Sequence, residues 1–155
     1  MKYLNTQITF AEIPDEISLC INLTNCPNNC DGCHSPQLRQ NIGNELTEEV
    51  LTELIKKSEG ITCVCFMGGD SDESAIADLT AHIVHPAGLK SAWYSGQDRE
   101  PMIWDLCFFD YMKFGHYDKE LGPLNSPTTN QRLWKNVFES PERLDLTDIT
   151  SKFWK

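Results

Sequence analysis

Three cysteines fall within eight residues in the stretch Asn25-Cys26-Pro27-Asn28-Asn29-Cys30-Asp31-Gly32-Cys33-His34-Ser35-Pro36. An ordinary core has no use for thiols at this density. Spacings of three and then two residues let a tight loop wrap its cysteines around one inorganic centre, and Pro27, Asn28, Asn29, Asp31 and Gly32 are turn-formers that suit the wrap. Iron–sulfur clusters are normally held by four thiolates, so a set of three leaves one iron open to an exogenous molecule. The competing chemistry is a zinc site, with His34 as fourth ligand or with another cysteine recruited from elsewhere in the chain. Structural zinc usually sits between two paired knuckles, and adjacent residues such as Cys33 and His34 rarely both reach one tetrahedral ion.

The pattern Cys26-x3-Cys30-x2-Cys33 resembles the cluster signature of the radical SAM superfamily. Within it, the short chain and the string Cys30-Asp31-Gly32-Cys33-His34-Ser35-Pro36 are similar to the activating proteins of the anaerobic, class III, glycyl-radical ribonucleotide reductases. The resemblance implies a 4Fe-4S cluster on Cys26, Cys30 and Cys33 whose free iron chelates the amino and carboxylate groups of S-adenosyl-L-methionine. Reductive cleavage of that cofactor then yields a 5′-deoxyadenosyl radical. It further implies that a one-electron reductant such as flavodoxin feeds the cluster, and that the hydrogen atom comes from a glycine of the large reductase subunit. Other small radical SAM enzymes, activating a different protein or acting on a metabolite, share most of these features. A zinc-bearing interaction module without catalysis is the alternative from another class.

Length and charge bound the reading. At 155 residues the chain has the size of one domain and is too short for a full eight-fold β/α barrel of about 250 residues. The expected fold is α/β: a partial (β/α) barrel of radical SAM type, with parallel strands and crossover helices, a core over about 8–115 and an irregular C-terminal extension over about 116–155. A formal net charge of −10 argues against a sequence-independent grip on nucleic acid or an anionic membrane. No apolar run approaches the roughly 20 residues of a membrane span, and Met1 to Thr6 lacks a signal peptide's apolar centre, so a cytoplasmic protein is expected. Seven cysteines, an odd number, speak for free thiols and ligands rather than a disulfide framework.

The elements that must position the cysteine loop follow from apolar patterning. Ile17 to Leu23 reads as a buried strand delivering the loop from its C-terminal end, where β/α folds bind ligands. Ile8 and Phe10 fit an edge strand before it. Thr47 can cap a helix whose apolar face is Val50, Leu51, Leu54 and Ile55, ending at Gly60. Ile61 to Met67 and Leu89 to Tyr94 are further strands, separated by a helix from about Ser74 to Val84. A short helix from Pro101 and a strand from Cys107 to Phe114 follow. Beyond Gly115 the breakers Gly122, Pro123 and Pro127 interrupt periodicity until Ser140-Pro141-Glu142 and the spacing of Leu146, Ile149 and Phe153 predict a terminal helix.

The strand ending at Met67 runs into Gly68-Gly69-Asp70, which taken alone is an ordinary turn. Its place one βα unit after the cysteines is where the resemblance puts the segment that holds the amino group of S-adenosylmethionine. The two glycines would expose backbone polar groups there, and Asp70 would offer a carboxylate to the ammonium. Two departures from the superfamily stand out: Asp70 where Glu is commoner, and Ser71 in place of proline. Ser95, at the end of the next strand, is positioned to touch ribose or methionine. Gly32 occupies the site of an aromatic residue that in the superfamily lies against adenine, so His34 or an apolar residue elsewhere must line that pocket. Cys20, Cys63, Cys65 and Cys107 sit in apolar runs and read as small buried hydrophobes. Thr129-Asn130-Gln131-Arg132-Leu133-Trp134 resembles a segment near the end of the reductase activators, with no role assigned.

Overall fold

The structure, a computed structural model, describes residues 1–140 and 143–154. Its strands are β1 (Lys2–Thr9), β2 (Ser18–Leu23), β3 (Asn44–Glu45), β4 (Cys63–Met67), β5 (Lys90–Tyr94), β6 (Tyr111–Phe114), β7 (Arg132–Ser140) and β8 (Arg143–Asp148). They form one eight-stranded sheet in the order β3-β1-β2-β4-β5-β6-β7-β8. The helices are α1 (Glu48–Lys57), α2 (Glu73–Leu79), which runs on into a π-helical turn at Thr80–Val84, and α3 (Ile103–Phe108).

The centre of the sheet is as the sequence predicts. β2, β4, β5 and β6 pair in parallel. They are the chain's densest apolar runs, buried along almost their whole length, as strands covered on both faces must be. α1 begins at Thr47, whose hydroxyl accepts from the Val50 amide at 3.2 Å, and Leu51 at the middle of its apolar stripe is fully buried. The alternation of strand side chains sends Leu19, Ile21, Val64, Phe66, Trp93 and Met112 into the core beneath the helices. Cys20, Cys63, Cys65, Ala92 and Tyr111 go to the other face, with Ile13 and Ile149.

The flanks depart from expectation. Four of the seven strand pairings, those of β1 with β2 and β3, β6 with β7 and β7 with β8, are antiparallel. The described residues therefore make a mixed α/β sheet, and the partial barrel expected from the sequence is not confirmed. A further parallel strand would need a crossover helix after β6, and Gly122, Pro123 and Pro127 leave no run in which one can form. The chain returns beside β6 as the antiparallel β7 instead. β8 replaces most of the expected terminal helix, of which Pro141 and Glu142 lie outside the described residues. The regular part that follows is a single 3₁₀ turn at Thr150–Phe153. Cys107 is also not as expected: it lies on α3 and is exposed, whereas Cys20, Cys63 and Cys65 are buried.

Because β2, β4, β5 and β6 run the same way, the loops after them gather at one end of the sheet. Three of those loops carry the residues singled out from the sequence.

Candidate metal centre

The cysteine loop leaves β2 through Asn25, which takes a left-handed conformation (φ 61°) that asparagine tolerates. It is closed at its base by amide bonds from Asn25 to the Gln40 carbonyl and from Cys26 to the Leu38 carbonyl, both 3.0 Å. Inside this base the Cys33 amide reaches the Cys30 carbonyl at 3.3 Å and the Ser35 amide donates to the Cys33 sulfur at 3.4 Å. Cys26, Cys30 and Cys33 are all free thiols, neither buried nor fully exposed. Among the described residues no three His, Cys, Asp or Glu side chains converge as ligands of a single ion would. A cubane cluster asks for a different arrangement, one thiolate to each of three separate irons around a common cavity.

Such a cavity exists. Its volume is about 230 Å³, and all three cysteines line it together with Gly68, Asp70 and Ser95. The sequence thus identified residues that three loops and some seventy positions of chain bring to one hollow. Leu23, Leu38 and Met67 give it apolar walls.

Asp70 is held with one oxygen committed and the other free. Its Oδ2 accepts from the Asn28 side-chain amide at 2.6 Å and from the Gly96 amide at 2.9 Å. Its Oδ1 is buried and has no partner. Asn28 in this way ties the cysteine loop to the end of β4, and Gly96 makes the contact feasible, since a Cβ there would lie 2.5 Å from the Asn28 amide nitrogen. The glycines do less than expected. The Gly68 amide already donates to the Tyr94 carbonyl at 2.9 Å and its carbonyl accepts from the Trp93 indole at 3.0 Å. Gly69 does not line the cavity; it packs under Leu23 and Ile76, which a side chain there would crowd. Ser95 is buried, its hydroxyl accepting from the Gln97 amide at 3.0 Å. His34 is not brought into the cavity at all: it is exposed on the outer side of the loop with its ring against Tyr117.

Three further residues that the sequence left unremarked stand in this wall. Lys113, at the end of β6, is buried, with its ammonium donating to the Gly115 carbonyl at 2.9 Å. Burial pushes it down to about 8, against the pull of Asp70 and of Cys30, so it still carries its charge at neutral pH. Arg39 donates through Nη2 to the Cys30 carbonyl at 2.6 Å, and its Nε is buried without a partner. Tyr117, on the loop after β6, lines the same hollow.

Further down the same face of the sheet, beneath Met67 and Tyr94, burial raises the thiols of Cys63 and Cys65 well above their ordinary value. They stay protonated and suit packing rather than ligation.

These residues fit a three-cysteine cluster: partly accessible thiols around one hollow, cations beside them, and no disulfide to undo. A family model described as a 4Fe-4S single cluster domain matches residues 17–102, a span that contains the three cysteines, Asp70 and Ser95 and ends before Lys113. No curated protein and no solved structure matches the chain.

Proposed function

From the premise that this chain belongs to the family of 4Fe-4S single cluster domains, we propose that it is a radical SAM activating enzyme, acting on the large subunit of an anaerobic ribonucleotide reductase. Cys26, Cys30 and Cys33 would hold the cluster. Bound there, the cluster supplies the electron that cleaves S-adenosylmethionine and so makes possible hydrogen-atom removal from a glycine of the partner.

One observation carries the reading. Beside the three thiols the cavity wall offers an unpartnered carboxylate oxygen, Asp70 Oδ1, and a buried ammonium, Lys113 Nζ. An anion and a cation held across one small hollow are the complement of an α-amino acid head group, which carries an ammonium and a carboxylate. Asp70 would receive the ammonium and Lys113 the carboxylate, while Ser95 lies along the same wall. The chain's share of the chemistry is then to fix the methionine end, to keep apolar surface around the reacting bond and to balance charge.

The test is anaerobic reconstitution with iron and sulfide, reduction by one electron, and addition of S-adenosylmethionine. The expected result is a brown protein that forms methionine and 5′-deoxyadenosine. With the cognate reductase present, a glycine-centred radical should appear by electron paramagnetic resonance. A colourless protein that takes up zinc instead would overturn the cluster, and cleavage without a radical on the reductase would overturn the partner alone.

A further inference from the structure

The cavity has two aromatic side chains in its wall, Tyr94 and Tyr117. Tyr94 is committed: its hydroxyl donates to the Glu12 carbonyl, and the Lys113 ammonium lies 5.8 Å from its ring centroid. Tyr117 is half-buried, and its hydroxyl makes no hydrogen bond within the described residues.

Its position is set by the cysteine loop. Gly32 has φ 74°, and a Cβ there would stand 3.6 Å from Tyr117 Cε1 and 3.6 Å from Lys119 Cβ. The chain 117–119 therefore lies across Gly32 at van der Waals distance, over the space that a side chain at position 32 would enter. The ring is buttressed on its outer side by His34, with centroids 5.2 Å apart at 54°. An ion pair between Lys119 and Asp31 fastens the same two segments. Three contacts thus hold one flat, uncommitted ring at the mouth of a hollow lined by thiols.

We propose that Tyr117 is the stacking platform for the purine of the bound nucleoside, with Gly32 kept free of a side chain to seat it. This rests on the reading of the site as one for S-adenosylmethionine. A purine has two π faces and binds a flat aromatic side chain strongly and without regard to its edge pattern.

The experiment is anaerobic titration of the iron-loaded protein with S-adenosylmethionine and, separately, with methionine, which keeps the ammonium and carboxylate but has no purine. Tyr117→Phe should bind both as the wild type does. Tyr117→Leu should lose about five- to hundredfold in affinity for S-adenosylmethionine, the range for one base on one aromatic ring, and nothing for methionine. Tyr117→Met, which keeps volume without the flat face, must repeat that pattern and serves where the leucine variant fails to hold iron. Equal affinity of both apolar variants for S-adenosylmethionine overturns the platform, as does an equal loss for methionine, which would make Tyr117 a shaper of the loop. If the wild type binds neither ligand, the cofactor assignment itself fails.

Discussion

Asp70→Asn separates a binding role from a structural one, because the two carboxylate oxygens have different employment. Oδ2 takes two hydrogen bonds, from Asn28 and Gly96, and the amide oxygen of asparagine can keep both. The amide nitrogen then replaces Oδ1, the buried oxygen without a partner, and turns an acceptor into a donor. A hydrogen bond to a charged group contributes about 1.5–3 kcal/mol, so loss of the ammonium's acceptor should weaken S-adenosylmethionine by about ten- to 150-fold. The iron-free protein should respond far less. The two bonds that tie β4 to the cysteine loop survive, and one unpartnered buried polar atom replaces another, each costing about 1–3 kcal/mol, so the iron-free variant should unfold at a urea concentration close to that of the wild type. Calorimetric titration of the iron-loaded protein and denaturant unfolding of the iron-free protein give the two numbers. A variant that binds S-adenosylmethionine as tightly as the wild type refutes the assignment. So does one whose stability falls as far as its affinity, since Asp70 would then be a brace between β4 and the cysteine loop.

Cys30→Ala should lose its iron after anaerobic reconstitution, whereas Cys63→Ala and Cys65→Ala, buried in the core and outside the lining of the cavity, should retain full iron content; equal loss in either would move the ligand set. Gly69→Ala places a Cβ 3.0 Å from Leu23 Cδ1 and 3.2 Å from Ile76 Cγ2 at φ 99°, and strain plus overpacking should cost about 2–4 kcal/mol of unfolding free energy, read in urea. Burial pushes the Glu16 carboxyl up, but its bonds from Lys90, Thr62 and Tyr111 outweigh this and hold it below 4.5. Its contribution is then present above pH 4.5 and lost as pH falls through its folded value, so Glu16→Gln should flatten the acid side of the stability curve of the iron-free protein, and an unchanged slope would remove Glu16 from that role.

What could be read from the sequence was what is written in residue type or in short-range pattern. Cys26, Cys30 and Cys33 announce themselves because few other uses exist for thiols at that spacing. β2, β4 and β5 are runs of apolar residues with turns behind them, and their boundaries fall within two residues of those expected. β7 and β8 were hidden for a physical reason. Leu133, Trp134, Val137 and Phe138 recur at near-helical spacing, and what makes the segment a strand is its pairing with β6. β8 carried a weak signal that was overlooked, the period-two alternation of Leu144, Leu146 with Asp145, Thr147. Lys113, Arg39 and Tyr117 carried none. A lysine inside the apolar run Tyr111-Met112-Lys113-Phe114 gains its meaning only when parallel pairing sets the end of β6 beside a loop about eighty residues earlier.

The charges of the cavity run against those of the chain. Acidic residues outnumber Lys and Arg by 23 to 13, so carboxylates to neutralise an internal cation were plentiful. Lys90 and Arg99 each have one, in Glu16 and Asp105. Lys113 and Arg39 do not: their hydrogen bonds go to the carbonyls of Gly115 and Cys30, and Arg39 Nε has none. Holding a buried cation without a directly paired anion costs several kcal/mol. The charges that draw the Lys113 value upward are Asp70 first and Cys30 after it, both across the hollow rather than in a direct ion pair. A buried cation with no direct ion-pair partner at the wall of a hollow is a place where an anion gains a charge-assisted bond, and Lys113 and Arg39 both stand there beside the three cysteines. The proposed ligand's carboxylate is such an anion, and its ammonium meets the opposite charge in Asp70.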